Sequence, residues 1–366
     1  GTPSRNISKY WENGDIPWVK IGDIESKFLN KTTEFITKEG LNNSSAKMIE
    51  KGSILYTIFA TLGEVCITNI DVTTNQAIAG LTLRDDKVDL EYLYYFLKSL
   101  HLHVNSIGRG VAQNNINLTI LREFSVPVPN RKKQLEIANI LKVIENIIES
   151  RKKQIQEYDQ LIKSRFVEMF GNPIKNDKEW KLKFLDEVCD VRDGTHDSPK
   201  YYNVGYPLIT SKNISNGNID YSTAQLICEE DYQNINKRSK VDNGDILMPM
   251  IGTVGGAIIV RKERDFAIKN VALIKFNTKL VENTFIKYVL NSDQMNLHFE
   301  DLKKGGTQKF IGLKTIRNLP IIVPPIKLQS QFATFVQQVD KLKFEVQKSL
   351  DESQTLFDSL MQEYFG

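Results

Sequence analysis

Two stretches of this chain, residues 131–170 and about 327–364, lack both proline and glycine. Both are rich in Lys, Glu, Gln, Ile and Leu, most of which are good helix formers. The first stretch is followed by Gly171-Asn172-Pro173, a typical helix stop. The pattern therefore predicts two long helices, and 40 residues at 1.5 Å each give a length of about 60 Å.

Apolar residues in both predicted helices recur at alternating steps of three and four, the spacing of a coiled-coil seam. The predicted packing residues of this seam are Ile144, Ile148, Ile155, Tyr158, Ile162, Phe335, Val339, Leu342, Val346 and Leu356. The simplest arrangement is an antiparallel helix pair that acts as a spacer between two globular domains. The alternative is that each helix packs separately on its own domain.

Outside these helices the apolar runs are short and are bounded by Gly, Asn and Asp. Residues 53–59 and 245–251 have the β-branched and aromatic content of strands. Residues 89–100 and 281–290 carry apolar side chains at helical spacing. Short strands and helices without a regular βαβ rhythm predict an α+β fold.

The chain contains an internal duplication. Gln113, Leu118, Val126-Pro127-Val128-Pro129 and Gln134 match residues exactly 195 positions later, ending at Gln329. Earlier blocks match in the same order, although residues 180–193 have no counterpart in the first half. We therefore expect a first domain over 1–130 that is incomplete at its N-terminus, a spacer helix over 131–172, a second domain over 173–325 and a second spacer helix over 326–366.

Composition narrows the class of protein. Of 366 residues, 41% are hydrophobic and 25% are charged, as in soluble globular proteins. No apolar run is long enough for a membrane span, and no secretory signal opens the chain. Three widely spaced cysteines suggest reduced thiols, so we expect a cytoplasmic protein. The net charge of +3 permits nucleic-acid binding without requiring it.

Motifs for common chemistry are missing from the sequence. It contains no phosphate-binding loop and no dinucleotide-binding glycine pattern. The four histidines lack the paired Cys/His spacing of a zinc site. We therefore expect neither catalysis nor a bound cofactor in this chain.

Polar residues in the loops of both halves have the side chains that DNA-reading proteins use: Arg and Lys for guanine and phosphates, Asn and Gln for adenine. An alternative for each is a solvated turn. In the first half the candidate DNA-binding residues are Ser4, Arg5, Lys20, Arg109, Gln113, Asn114 and Asn115. In the second half they are His196, Lys200, Tyr201, Ser211, Lys212, Asn213, Lys303, Lys304, Gln308 and Lys309.

The combined pattern resembles the specificity subunits of type I restriction-modification systems. The resemblance is carried by Gly14-Asp15-Ile16-Pro17-Trp18-Val19, Ser125-Val126-Pro127-Val128-Pro129 and Phe170-Gly171-Asn172-Pro173, and by the two-copy layout. It implies two target recognition domains that bind a bipartite site on double-stranded DNA.

The same resemblance implies partners. Two modification (methyltransferase) subunits would dock on the helices and carry S-adenosylmethionine, and restriction subunits would add ATP- and Mg-dependent cleavage. Two alternatives remain open: the specificity module of another restriction system with a combined nuclease-methylase partner, and a coiled-coil scaffold without a DNA role.

Overall fold

The chain folds into two compact units. The computed structural model describes residues 1–101, 116–215, 217–251, 256–304 and 310–366. Unit 1 comprises Gly1–Lys153 and Gln347–Gly366, and unit 2 comprises Gln154–Val346. Each unit therefore combines one globular part with portions of both long helices. The predicted domain boundaries at 130, 172 and 325 follow chain order instead, and they stay predictions.

Unit 1 begins with the strands β1 (Ile16–Val19), β2 (Phe28–Leu29), β3 (Glu34–Ile36), β4 (Met48–Ile49), β5 (Ile54–Thr57), β6 (Val65–Thr68), β7 (Val72–Thr74) and β8 (Ile78–Leu81). Its helices are α1 (Lys38–Asn42), α2 (Leu90–Ser99), α3 (Leu118–Glu123) and the first part of the long helix α4 (Arg131–Phe170).

Unit 2 contains the strands β9 (Lys181–Phe184), β10 (Asp190–Asp193), β11 (Tyr206–Ile209), β12 (Ile214–Ser215), β13 (Asn218–Ile219), β14 (Gln225–Ile227), β15 (Ile246–Pro249), β16 (Ile258–Ile259), β17 (Ala267–Ile268), β18 (Val271–Lys275) and β19 (Pro320–Val323). Its helices are α5 (Leu185–Val188), α6 (Glu229–Ser239), α7 (Asn283–Leu290), α8 (Asp293–Lys304), α9 (Leu313–Arg317) and the first part of the long helix α10 (Ile326–Phe365). The predicted strands and shorter helices are confirmed by β5, β15, α2 and α7.

Each unit has its own core of paired strands, and the pairings are equivalent in the two units. In unit 1, β1 pairs antiparallel with β3 and parallel with β7, and β11 does the same with β14 and β17 in unit 2. A second sheet places β5 between β6 and β8, and β15 lies between β16 and β18, all antiparallel. The duplication expected from the sequence is thus a duplication of topology.

Unit 2 also has strands from the segment that the first half lacks. Strand β10 pairs with the edge of β18, and β9 pairs with β19. Both strands come from residues 180–193, for which the sequence comparison found no counterpart. Among the described residues of unit 1, β8 is the edge of its sheet. Strand β10 thus lies at the edge of the sheet that contains β15, β16 and β18, whereas β9 and β19 form a separate two-stranded sheet.

Gln134 and Gln329, which are 195 positions apart, make equivalent hydrogen bonds in the two units. Both side chains are fully buried. Gln134 accepts from the Asp89 N–H at 2.7 Å and donates to two backbone carbonyls, at 2.9 and 2.8 Å. Gln329 accepts from the Glu282 N–H at 3.0 Å and donates to two carbonyls at 3.0 and 2.9 Å. Each amide therefore joins the start of a long helix to the start of α2 or α7.

Both predicted long helices are confirmed, each over 40 residues. Helix α4 ends where Gly171 adopts a φ of +74°, a left-handed conformation that favours glycine. No helix in the described ranges is both long and apolar enough to cross a membrane.

The two long helices run antiparallel within each unit. In unit 1, Glu145 and Phe357 both contact Tyr95, and Lys133 lies 6.0 Å from the ring centre of Tyr364. In unit 2, the rings of Phe166 and Phe332 are 5.5 Å apart, and Lys343 pairs with Asp159. In both units, residues later in the sequence of α4 lie near residues earlier in the sequence of α10, as in an antiparallel helix pair.

Most of the predicted packing residues lie at buried or half-buried positions. Buried ones are Ile144, Ile148, Ile162, Val339 and Val346, and half-buried ones are Ile155, Tyr158 and Phe335.

The prediction is wrong for Leu342 and Leu356, which are each 51% exposed. The buried face of α10 instead includes Val336, Phe357 and Met361. In a strict coiled coil, the apolar seam of one helix packs only on another helix. Helix α10 also packs on the globular parts, and its buried face is therefore rotated away from a strict seam.

Candidate nucleic-acid interface

Those predicted DNA-binding residues whose side chains the structure describes lie in loops and short turns around the paired strands. Arg109, Gln113, Asn114, Asn115, Gln308 and Lys309 lie outside the described residues, as do the side chains of Lys303 and Lys304. These eight assignments stay predictions. The remaining candidates form one group in unit 1 and two groups in unit 2.

In unit 1, Arg5 and Lys20 converge on one carboxylate, although they are 15 positions apart. The Arg5 guanidinium lies 2.7 Å from Glu34 Oε2, and Lys20 Nζ lies 2.9 Å from Glu34 Oε1. The hydrogen bond from Lys20, together with that from Arg5, holds the pKa of Glu34 below its usual range. The side chains of Arg5 and Lys20 stay 52% and 41% exposed, so both cations are accessible to a polyanion.

An indole platform supports this cluster. The Arg5 guanidinium stacks on Trp11, 3.6 Å from the ring centre, and Trp11 packs edge-on against the buried Trp18. The Trp11 Nε1–H donates to the backbone carbonyl of Ser4 at 3.0 Å, and the Ser4 side chain is exposed. The three predicted residues Ser4, Arg5 and Lys20 therefore lie on one surface with a fixed geometry.

In unit 2, a second carboxylate organises the loop after β10. Asp193 is nearly buried and binds Arg238 through Oδ1. Its Oδ2 lies 2.9 Å from His196 Nε2, and His196 Nδ1 lies 2.7 Å from Asn270 Oδ1. The hydrogen bonds to Asn270 and Asp193 raise the pKa of His196 above its usual value, and burial and Arg238 oppose this in part.

The same loop carries the predicted residues Lys200 and Tyr201. Both are exposed, and Tyr201 is 44% exposed. Lys200 Nζ lies 5.6 Å from the ring centre of Tyr202, which is also exposed. A cation next to exposed aromatic rings can bind phosphates and bases.

A pocket of about 460 Å³ opens beside His196. Its walls include Met250, Ile251, Phe310 and Leu313. Apolar walls next to an imidazole could receive a base edge or a thymine methyl group.

The third group lies on the turn after β11, and here one prediction is wrong. Lys212 is exposed and Ser211 is half-buried, so both can reach a ligand. Asn213 is only 3% exposed, and its amide oxygen accepts from the Thr210 N–H and Oγ1–H, both at 2.9 Å. Its amide nitrogen donates to Thr223 Oγ1 at 3.1 Å. Asn213 holds the turn together and is not a free DNA-reading side chain.

Sequence reasoning missed Glu34, Trp11, Arg238 and Asn270. Trp11 belongs to the opening segment that resembles the family but was not assigned a role at the DNA surface. Glu34, Arg238 and Asn270 belong to no motif, and each enters the surface through a contact with a residue distant in the chain. Asn270 adopts a φ of +54° in the turn between β17 and β18, a left-handed conformation that asparagine tolerates better than most residues.

Groups that could carry other chemistry are placed for packing. Burial raises the pKa of the Cys66 and Cys189 thiols to about 12, so neither is a ready nucleophile. Among the described residues, no group of three His, Cys, Asp or Glu is arranged to hold a metal ion.

The duplicated α+β unit, its basic loop clusters and its long helices define a DNA-binding protein class, and comparison with known proteins identifies it. The family model described as type I restriction modification DNA specificity domain matches residues 1–158 and 177–353. The chain therefore belongs to the type I restriction-modification specificity family.

Individual relatives agree with this assignment. The type I restriction enzyme MjaIX specificity subunit of Methanocaldococcus jannaschii is 25% identical, over 98% of this chain and 88% of the relative. A crystal structure of the type I restriction-modification S subunit from M. genitalium has a TM-score of 0.56 at 15% identity, covering 100% of this chain and 92% of the other.

A second solved structure, from work on complex assembly and conformational transition of the type I restriction-modification system, has a TM-score of 0.62 at 16% identity. It covers 96% of this chain and 91% of the other. These likenesses show the same fold. The chain is thus a specificity subunit, whose function is DNA recognition and not catalysis.

Proposed function

We propose that this subunit recognises a bipartite site on double-stranded DNA, with one globular part on each half of the site. The observation that carries the proposal is the combination of one shared strand core with two different basic clusters. Unit 1 gathers Arg5 and Lys20 on Glu34, whereas unit 2 gathers His196 and Arg238 on Asp193. Similar frameworks with different loop side chains suit two different half-sites.

The long helices supply the second part of the proposal. We infer that two copies of one modification (methyltransferase) subunit dock on the helical portions, because the duplication offers two similar surfaces to two identical partners. The length of the helix pair would set the unread gap between the half-sites.

The cofactors belong to the partners in this proposal. S-adenosylmethionine would be bound by the modification subunits, and ATP and Mg by restriction subunits in the full complex. The complete assembly would act in the cytoplasm, where its DNA substrate lies.

Reconstitution tests the proposal. The purified chain alone is expected to transfer no methyl groups to DNA, whereas the chain with its modification subunit should methylate one bipartite sequence. Native mass spectrometry of that complex should give two modification subunits per chain. Methyl transfer by the chain alone, a contiguous target or a different stoichiometry would each contradict the corresponding part.

The basic cluster of unit 1 gives a residue-level test. If Arg5 and Lys20 contact phosphates, changing both to alanine should reduce the slope of log affinity against log salt by about 2. Lys348→Ala is a matched control, because Lys348 is an exposed cation on α10, outside both basic clusters. An unchanged slope in the double variant would remove this cluster from the interface.

A further inference from the structure

His196 ties the loop between β10 and β11 to two fixed elements. One ring nitrogen faces Asp193 at the end of β10, and the other faces Asn270 in the turn between β17 and β18. Asp193 is only 6% exposed at its side chain, whereas His196 is 62% exposed. The imidazole is therefore a bridge at the surface, anchored on a nearly buried carboxylate.

The backbone on both sides of this bridge is held closely. Thr195 N–H donates to the Ile268 carbonyl at 3.0 Å, and Asn270 N–H donates to the Thr195 carbonyl at 3.1 Å. A side chain at Gly194 would lie 2.2 Å from the Ile268 carbonyl oxygen, so the loop starts directly against the sheet. Beyond His196, the Ser198 hydroxyl accepts from Lys269 Nζ, and the Tyr202 N–H donates to the Leu226 carbonyl at 2.9 Å. Lys200 and Tyr201 lie in the short span between these contacts, and the imidazole holds the start of that segment.

A protonated His196 can donate to both of its partners as they are arranged. Both of its partners in this arrangement are oxygens, which accept hydrogen bonds. An imidazole has two N–H donors only when it is protonated. The neutral ring keeps one of these bonds, and the second then requires Asn270 to turn its amide nitrogen towards the ring. The facing charges are Asp193 on β10, which favours the cation, and Arg238 on α6, which opposes it. Nearby Lys269 binds Ser198.

We propose that His196 is a positioning residue that, when protonated, fixes the start of this loop, residues 196–201, so that Lys200 and Tyr201 meet DNA. Recognition by unit 2 is then sensitive to pH near neutrality, whereas recognition by unit 1 is not. The proposal rests on the proposed function, since it assumes that this loop contacts DNA.

Unit 1 supplies the internal comparison. Alignment of Gly194-Thr195 with Gly1-Thr2 places Pro3 at the position of His196. The Thr2 hydroxyl there donates to Gln76 at 3.1 Å, a neutral contact that does not titrate. The switchable bridge is therefore specific to the second copy.

Histidine NMR of the full chain tests the bridge without DNA. Four histidines are present, and His196→Gln identifies the His196 signal by its loss. We expect His196 to titrate above the ordinary midpoint of about 6.5, and Asp193→Asn to lower that midpoint. A midpoint at or below the ordinary value, or one that Asp193→Asn leaves unchanged, would overturn the proposal.

Hydrogen exchange of residues 196–201 tests the positioning. After correction for intrinsic exchange rates, protection should fall as the pH rises through the measured midpoint of His196. By linkage, the total fold-change in protection should equal 10 to the power ΔpH, within about twofold. Here ΔpH is the difference between the measured midpoint of His196 and the ordinary histidine midpoint. His196→Gln should remove this pH dependence and the matched control His298→Gln should retain it. Equal pH dependence in both variants would overturn the proposal.

DNA binding by the chain with its modification subunits completes the test, at a pH below and a pH above the midpoint. We expect weaker specific binding above the midpoint in the natural protein and no such change in His196→Gln. If the protection of the loop depends on pH but the DNA affinity does not, the positioning role of His196 is wrong, although the proposed function stands. Loss of DNA binding at both pH values would instead refute the proposed function, and this inference with it.

Discussion

Units 1 and 2 have a core of equivalent strand pairings and an equivalent buried glutamine, but the charged side chains in their described loops are arranged differently. Each unit uses one carboxylate to hold two basic groups, Glu34 in unit 1 and Asp193 in unit 2. The carboxylates lie on different elements, β3 and β10, and hold different cations. Packing thus keeps the strand framework the same in both units, whereas the charged side chains on that framework differ.

The largest expected effect tests the shared framework. Phe332 is fully buried and packs on the rings of Phe166, Phe170 and Tyr288. Phe332→Ala should lower the free energy of unfolding of unit 2 by about 3–5 kcal/mol, because it leaves a cavity in an aromatic core. Urea unfolding followed by hydrogen exchange in each unit measures this.

The matched control for that change is Leu342→Ala on the same helix. Leu342 is 51% exposed, so its loss should alter stability by less than about 0.5 kcal/mol. Similar losses for the two variants would mean that Leu342 packs as the sequence pattern predicted, and the account of the rotated helix face would fail.

The next effect tests whether the twin glutamines are equivalent. Gln134→Leu and Gln329→Leu each remove three hydrogen bonds and leave buried backbone groups without partners. We expect each variant to lose about 2–3 kcal/mol of stability, one in each unit. Thermal unfolding of the two single variants checks this, and a large loss in only one would contradict the equivalence of the units.

A smaller effect probes the charge cluster of unit 1. Glu34→Gln removes the carboxylate that neutralises part of the charge of Arg5 and Lys20. We expect non-specific DNA affinity to rise and its salt dependence to steepen, because two cations become available to phosphates. Filter binding at several salt concentrations would measure it, and weaker binding would show that Glu34 chiefly orients the two side chains.

The smallest effect is the pH dependence of the same cluster. Because contacts with Lys20 and Arg5 lower the pKa of Glu34 in the folded state, their stabilisation is present above the ordinary carboxyl pKa. It is lost as the pH falls through the lowered value. We expect less than about 1 kcal/mol, since the pair is partly exposed. The stabilities of the natural protein and Glu34→Gln should differ above this range and converge below it in acid unfolding experiments, and identical curves would contradict the contribution.

Elements that depend on local sequence could be predicted closely. The bounds of α4 follow from 40 residues without proline or glycine and from the stop at Gly171, and the structure has the same bounds. The duplication could be predicted because matching residues such as Gln134 and Gln329 keep one packing task at a fixed separation. Both cases involve information that lies within a short segment or a repeated one.

Features that depend on contacts between distant segments could not be predicted. Leu356 has the spacing of a seam residue, but Phe357 next to it packs on Tyr95 of α2, which no helical pattern reveals. Asn213 has the right chemistry for DNA, but its amide is occupied by Thr210 and Thr223. Glu34 and Asp193 gather their cations across many residues of chain, so neither cluster has a sequence signature.

Exchange of one globular part, followed by methylation profiling, shows whether each unit reads its own half of the DNA target. The first globular part, residues 1–130, would be replaced by that of another family member with a known target, and genome-wide methylation would be mapped with the same modification subunit. If the two units read DNA independently, we expect a bipartite target in which one half changes while the other half and the gap stay the same. A target that changes in both halves, or in neither, would contradict recognition by two independent units.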